Sequence, residues 1–331
     1  MKRRAFIGMI GAAASWPLTA RAQHPAKIRR IAIVNPSVKF ADLETDPNVM
    51  VFNEELKRHG YAKGTNLIID LYSAEGHTDR YGDLAREVVS TNPDLIVTSG
   101  TPLTLRFKAA TNTIPVVTIT GDPIRFGLIS SIARPGGNIT GVSVDAGLEI
   151  WGKRLELLAQ ALPKLTNTVF VSTQGGWNGA GGRGLRETAQ KLGISLTPAT
   201  LGITVNEAEY RLVFGSIQRD QVDGIMISEE SENYPYRLLL VQLVEQIRLP
   251  AVYSYREQAE AGGLMSYSWD IKASTRRMAM QAAEILNGGN PAEMPYFQEA
   301  RYELVINLKT AKTLGLEIPA GLVAAANAVI E

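Results

Sequence analysis

The 331-residue chain contains no cysteine. That excludes a disulfide framework and a thiol nucleophile, and leaves the hydrophobic core to hold the fold alone. It also leaves no residue for a lipid anchor at a bacterial cleavage site. Charge of one sign is lacking as well: 34 Lys and Arg face 33 Asp and Glu, for a formal net charge of +1. No basic face for nucleic acid and no like-charge tail is therefore expected. The three histidines, His24, His59 and His77, show no metal-ligand spacing. No G-x-S-x-G and no Walker A pattern occurs. No stretch reaches the roughly 20 apolar residues that a membrane-spanning helix needs. Together these absences predict no cofactor, no metal and no enzyme. A carboxylate pair is not excluded, because acidic residues are scattered throughout.

What is present suits a soluble globular protein: 45% hydrophobic and 20% charged residues, over a length that suggests two lobes. The first 22 residues read as a signal peptide. Lys2, Arg3 and Arg4 precede an apolar run from Phe6 to Leu18, and Ala20-Arg21-Ala22 gives a small-residue cleavage pattern before Gln23. Arg3-Arg4-Ala5-Phe6-Ile7 also fits a twin-arginine leader, and a Sec leader fits equally well. The expectation is export, with cleavage after Ala22, to the periplasm.

From residue 27 short β-branched runs alternate with helical segments. Arg30–Val34, Leu67–Tyr72, Leu95–Val97 and Val116–Ile119 read as strands buried on both faces of a parallel sheet. The chain leaves this sheet near Ser143–Gly147. After a helix over Ile150–Leu162 the alternation restarts, with strands at Val169–Val171, Ile225–Ile227, Ala251–Tyr253, Leu264–Tyr267 and Leu304–Ile306. A long helix is expected over Ile271–Leu286. Two rounds of one pattern indicate α/β architecture with two Rossmann-like lobes. Ligand loops in such lobes sit at the carboxyl ends of the strands.

Several strand ends carry candidate ligand groups. Ser99-Gly100-Thr101-Pro102 precedes a helix; Thr101 suits an N-cap and Pro102 the first helical position, and such a helix start favours a carboxylate. A plain cap without ligand accounts for the same residues. Gly121-Asp122-Pro123 follows the next strand, where Asp122 is either a ligand contact or an ordinary turn aspartate. Gly175–Gly184 is glycine-dense and includes G-x-G-x-x-G at Gly179, Gly181 and Gly184. It starts seven residues after Ser172 and has no acidic residue about 20 positions on, which is poor context for a dinucleotide. A mobile loop over a cleft is the expectation, with Trp177 covering a ligand and Gln174 and Asn178 as polar contacts. Ser228-Glu229-Glu230-Ser231-Glu232 follows another strand; Glu229 or Glu230 suits a ligand amine, or the loop simply stays solvated. Tyr253, Tyr255, Tyr267 and Trp269 are cleft wall or lobe-interface core.

Taken together these segments resemble the ABC transporter substrate-binding proteins of the type I periplasmic-binding fold. The resemblance spans nearly the whole chain. It rests on Arg3-Arg4 through Ala22, Gly121-Asp122-Pro123, Ala133–Val142, Lys153–Leu158, Glu260–Tyr267 and Leu304–Ala311. It implies parallel sheets joined by a three-crossover hinge near 143–147, 253–256 and 293–299. The lobes would then be 27–143 plus 255–295, and 144–254 plus 296–331. It also implies capture of a small solute, an amino acid or aromatic compound, by hinge closure and delivery to an ABC permease in the inner membrane, the binding protein being a monomer. Related members bind amino acids with the carboxylate on the first lobe, which carries over to Ser99, Thr101 and Asp122. The candidate ligand contacts are Ser37, Ser99, Gly100, Thr101, Gly121, Asp122, Gln174, Trp177, Asn178, Glu229 and Tyr255. Two rival readings remain: an exported nicotinamide-dependent oxidoreductase, and a ligand-sensing domain for a membrane receptor.

Overall fold

The computed structural model describes residues 28–144, 150–202 and 205–331. The expected leader and residues 145–147 of the first expected crossover lie outside these residues. Elements run in chain order as β1 (Arg29–Asn35), α1 (Pro47–Arg58), β2 (Leu67–Ser73), α2 (Tyr81–Ser90), β3 (Leu95–Ser99), α3 (Thr101–Ala110), β4 (Val116–Thr120) and β5 (Ile139–Ser143). They continue with α4 (Ile150–Ala161), β6 (Asn167–Thr173), α5 (Gln174–Asn178), α6 (Ala180–Leu192), β7 (Ser195–Leu201), α7 (Glu207–Gly215), β8 (Gly224–Ile227), α8 (Arg237–Ile247), β9 (Ala251–Tyr253), α9 (Arg256–Glu260) and β10 (Met265–Trp269). The chain ends with α10 (Ile271–Leu286), β11 (Phe297–Gln298), β12 (Tyr302–Asn307), α11 (Leu308–Thr313), α12 (Ala320–Ala325) and β13 (Ala328–Ile330).

Two sheets form. The first has order β11-β5-β4-β3-β1-β2 and is parallel throughout. The second has order β13-β12-β10-β9-β8-β6-β7; β12 runs antiparallel to β10 and the remaining pairs are parallel. Strand order reverses beside β1 in the first sheet and beside β6 in the second. A doubly wound sheet opens its crevice at such a reversal, outside the carboxyl ends of the strands.

Both faces of each sheet are covered, which is why the strands read as continuous apolar runs. On the first sheet, Val49, Phe52 and Leu56 of α1 meet Met278, Ala282 and Ile285 of α10 on one face. Tyr81, Leu84 and Val88 of α2 with Leu103 and Phe107 of α3 fill the other. On the second, α4 and α6 cover one face and α7 and α8 the other.

The lobe boundaries differ from expectation. Met265–Trp269 belongs to the second sheet, where Met265 pairs with Val252 and with Ile306, so 255–269 is not part of the first lobe. The second crossing lies between Trp269 and Ile271. Phe297–Gln298 pairs with Val142–Ser143 in the first sheet, which puts the third crossing at 299–301 rather than 293–299. A strand followed by a helix reads alike in either lobe; only the pairing partner decides membership. Four strands went unforeseen: β5, β7 and the short edge strands β11 and β13. β7 is a half-exposed edge strand that tolerates Pro198, where no ladder donor is needed. β5 has Gly141 at its centre, which breaks the apolar run.

The glycine-dense stretch is helical, not a mobile loop. Thr173 caps α5 by accepting from the Gly176 amide at 3.0 Å, and the second turn becomes α6 after Gly179. The glycines permit close approach: a Cβ on Gly182 would lie 2.2 Å from the Trp177 carbonyl oxygen, and one on Gly181 3.2 Å from the Trp151 ring. The G-x-G-x-x-G spacing therefore serves helix packing, and no strand–turn–helix phosphate loop forms there. Gly182→Ala should cost about 1–3 kcal/mol in urea unfolding, the range for forced overpacking. Gly137→Ala, where a Cβ meets nothing within 4 Å, should stay within about 0.5 kcal/mol of the parent.

Candidate functional site

A cavity of about 830 Å³ lies between the lobes, at the carboxyl ends of both sheets. The first lobe contributes the turns after β1 (Asn35–Val38), β3 (Ser99–Pro102) and β4 (Thr120, Gly121), with Thr78. The second contributes Thr173–Gly176 after β6, Thr200–Gly202 after β7, Glu229, Glu230, Glu232 and Tyr234 after β8, and Tyr255 after β9. Val144 and the pair Trp269 and Ile271, beside two of the crossovers, also line it.

Backbone geometry builds the first wall. Asn35 folds back so that its Oδ1 accepts from the Ser37 and Val38 amides, at 2.9 and 2.8 Å. Gly100, at φ +84°, makes the turn from β3 into α3. The cap is thus Gly100 rather than Thr101; Thr101 and Pro102 are the first helical residues, and the first amide bonded back is Thr104, to Gly100 at 3.1 Å. Thr101 instead uses its hydroxyl to accept from the Gly121 amide at 3.2 Å, tying the two loops together.

The second wall is acidic and aromatic. Glu230 is held by the Thr173 amide at 2.8 Å, the Thr173 hydroxyl and the Ser228 hydroxyl at 2.7 Å. Glu229 lies 2.7 Å from the guanidinium of Arg154, whose side chain is 1% exposed and also donates to the Tyr267 carbonyl at 2.8 Å. Tyr255 donates to the Glu229 carbonyl at 2.9 Å and packs edge-on against Tyr234 and Trp269, at 5.0 and 6.0 Å between ring centroids. Burial, reinforced by the Glu229 charge, holds the Tyr255 phenol far above its usual range. It stays a neutral donor.

The lobes touch across the cavity mouth. Tyr81 of α2 faces Glu232, and burial plus that carboxylate push its phenol well up. Tyr234 lies near Asn48 of α1, and burial raises its phenol to about 12. Asp46, which caps α1, is raised by burial against the opposing pull of Arg237 from the second lobe.

Of the eleven residues singled out in the sequence, Ser37, Ser99, Gly100, Thr101, Gly121, Gln174, Glu229 and Tyr255 line this cavity. Three do not. The Asp122 carboxylate accepts from the Ile124 and Arg125 amides at 3.0 and 2.9 Å and so shapes its own turn. Trp177 packs on the core of the second lobe, with Arg186 stacked 4.5 Å from its ring. The Asn178 carbonyl accepts from Arg183. Helix formation by 174–178 turns these two residues away from the cleft edge. Sequence reasoning missed Tyr234 and Arg154. A tyrosine just past the acidic loop gave a weak signal. Arg154 gave a better one, since it is the one charged residue on the buried, otherwise apolar face of its helix.

Among the described residues, no group of three His, Asp or Glu could hold a metal, and no helix is long and apolar enough to cross a membrane.

Residues 44–330 match the family model described as ABC transporter substrate binding protein. The chain belongs to this family. Its architecture is that of the type I periplasmic-binding fold. A solved conserved domain protein from Vibrio cholerae O1 biovar El Tor is 26% identical, with a TM-score of 0.77 over 92% of this chain and all of that one. A Streptococcus pneumoniae ABC domain in complex with L-Trp is 22% identical, with a TM-score of 0.76 over 91% and 99% of the two chains. The tyrosine-binding protein of Clostridioides difficile is 24% identical over 270 residues, 80% of this chain and 76% of that protein.

In this substrate-binding protein the Arg154–Glu229 pair joins the core of the second lobe to the cleft wall. Removing one partner of a buried pair strands the other. Arg154→Met should lower unfolding stability by about 3–5 kcal/mol, and Arg154→Met with Glu229→Gln should recover part of that loss. Equal stability of the single and double variants in denaturant titration would contradict the pairing.

Proposed function

We propose that this protein is the periplasmic solute-binding component of an ABC importer. It captures a small solute carrying an ammonium group and an aromatic or apolar body, of the amino acid or aromatic amine class. The lobes close on the solute by hinge motion and the closed form is presented to an inner-membrane permease. The observation that carries this reading is the makeup of the interlobe cavity: a helix start and backbone turns on one wall, glutamates and the Tyr234–Tyr255–Trp269 cluster on the other. The cavity volume lies in the range of small-molecule sites. Relatives named for tyrosine and crystallised with L-Trp support an aromatic body. The N-terminal leader pattern supports export, and the family supports a permease partner. Asp122 and Trp177 have no part in this reading.

A thermal-shift screen against amino acids, aromatic amines, sugars and nucleotides tests it, because a ligand of the folded state raises the melting temperature by mass action. The expected hits carry an ammonium group and an aromatic or apolar body, and are recovered unchanged. A response confined to sugars would overturn the solute class. Closure has its own test in Tyr81→Phe, which removes a hydroxyl at the mouth and leaves the cavity lining intact. Affinity for a screened hit should fall about two- to tenfold, the effect of losing one polar group that faces the other lobe. The melting temperature of the free protein should stay within about 2 °C.

A further inference from the structure

We infer that the cleft selects solutes of net positive charge: organic ammonium compounds with an aromatic or apolar body and no carboxylate of their own to cancel the charge. This rests on the cleft being the solute site and narrows what it takes.

The two walls are charged unequally. The first lobe lends the cavity no ionisable side chain, whereas the second lends Glu209, Glu229, Glu230 and Glu232. Among the described residues no Lys, Arg or His lines the cavity. Of these carboxylates Glu229 is paired to a guanidinium, that of Arg154 behind it. Glu230 is held by the neutral donors of Thr173 and Ser228, and Glu209 by the Gly202 amide at 2.8 Å. Such hydrogen bonds fix a carboxylate in place without cancelling its charge. Arg237, at the mouth, lies 4.3 Å from the Tyr234 ring centre and faces Asp46, which is itself anionic when ionised. The start of α3 adds about half a positive charge, less than a single glutamate.

A zwitterion entering this space brings its ammonium to an acidic wall, but its carboxylate meets the same negative field. A ligand without the carboxylate keeps the attraction and avoids the repulsion. Closure excludes water, and charge interactions strengthen as the effective dielectric falls. The aromatic cluster is an independent feature with the same preference. Tyr234, Tyr255 and Trp269 line one cavity, and ring faces attract ammonium groups as well as apolar bodies.

The test is calorimetric titration of the purified protein with three probes that share an indole body: tryptamine, L-tryptophanamide and L-tryptophan. Tryptamine and the amide should bind at least about tenfold tighter than L-tryptophan, with the gap narrowing as salt is raised. Glu230→Gln should shrink the gap. Glu209→Gln, at a half-buried position on the cavity wall, is the second variant and should do the same without disturbing the Thr173–Glu230–Ser228 network. If L-tryptophan binds tighter than both cationic probes, the charge preference is wrong and the solute-binding reading stands. If none of the three binds while a sugar does, the reading of the solute class fails and the inference with it.

Discussion

A strand buried on both faces of a parallel sheet can offer polar chemistry only at its ends. The rest of this molecule depends on that constraint. Ile31–Val34, Leu95–Val97 and Ile225–Ile227 are closed in by helices on both sides. Each ends at a turn where backbone amides and short polar side chains become accessible. Because both sheets turn these ends toward each other, the cavity gathers residues that lie more than 200 positions apart, such as Ser37 and Tyr255.

The division of labour between the walls follows from how each is built. The first wall is mostly backbone and hydroxyl, shaped by Gly100, by the Asn35 turn and by the Thr101–Gly121 hydrogen bond. It is neutral and preorganised. The second carries side-chain charge and aromatic surface, and it needs support from behind: Arg154 for Glu229, and Thr173 with Ser228 for Glu230. The Thr173 hydroxyl serves twice, donating to Glu230 and accepting from the Gly176 amide, so the start of α5 and the acidic loop form one hydrogen-bonded unit. The glycine-dense sequence fits this requirement. A Cβ on Gly176 would lie 2.8 Å from a Glu230 carboxylate oxygen, so the close seat of that carboxylate needs glycine there.

Polar groups of the two lobes approach one another across the mouth. Tyr81 and Glu232, Asn48 and Tyr234, and Asp46 and Arg237 each set an element of the first lobe near one of the second. Asp46 and Tyr234 serve both purposes, since one caps a helix and the other belongs to the aromatic cluster. The approach of the two lobes and the shape of the site thus involve overlapping residues.

The sequence by itself determined the α/β class, the buried parallel strands and most of the loops that reach the cleft, because apolar periodicity and glycine or proline punctuation are local properties. It pointed to Ser99, Thr101, Glu229 and Tyr255 by their place after a strand. Tertiary structure alone decided which sheet received Met265–Trp269, since strand membership depends on the partner in the ladder. It also decided that Asp122 closes its own turn, that Trp177 packs inward from a helix, and that Arg154 stands behind Glu229. Those outcomes depend on distances between segments far apart in the chain, and no local pattern of residues encodes them.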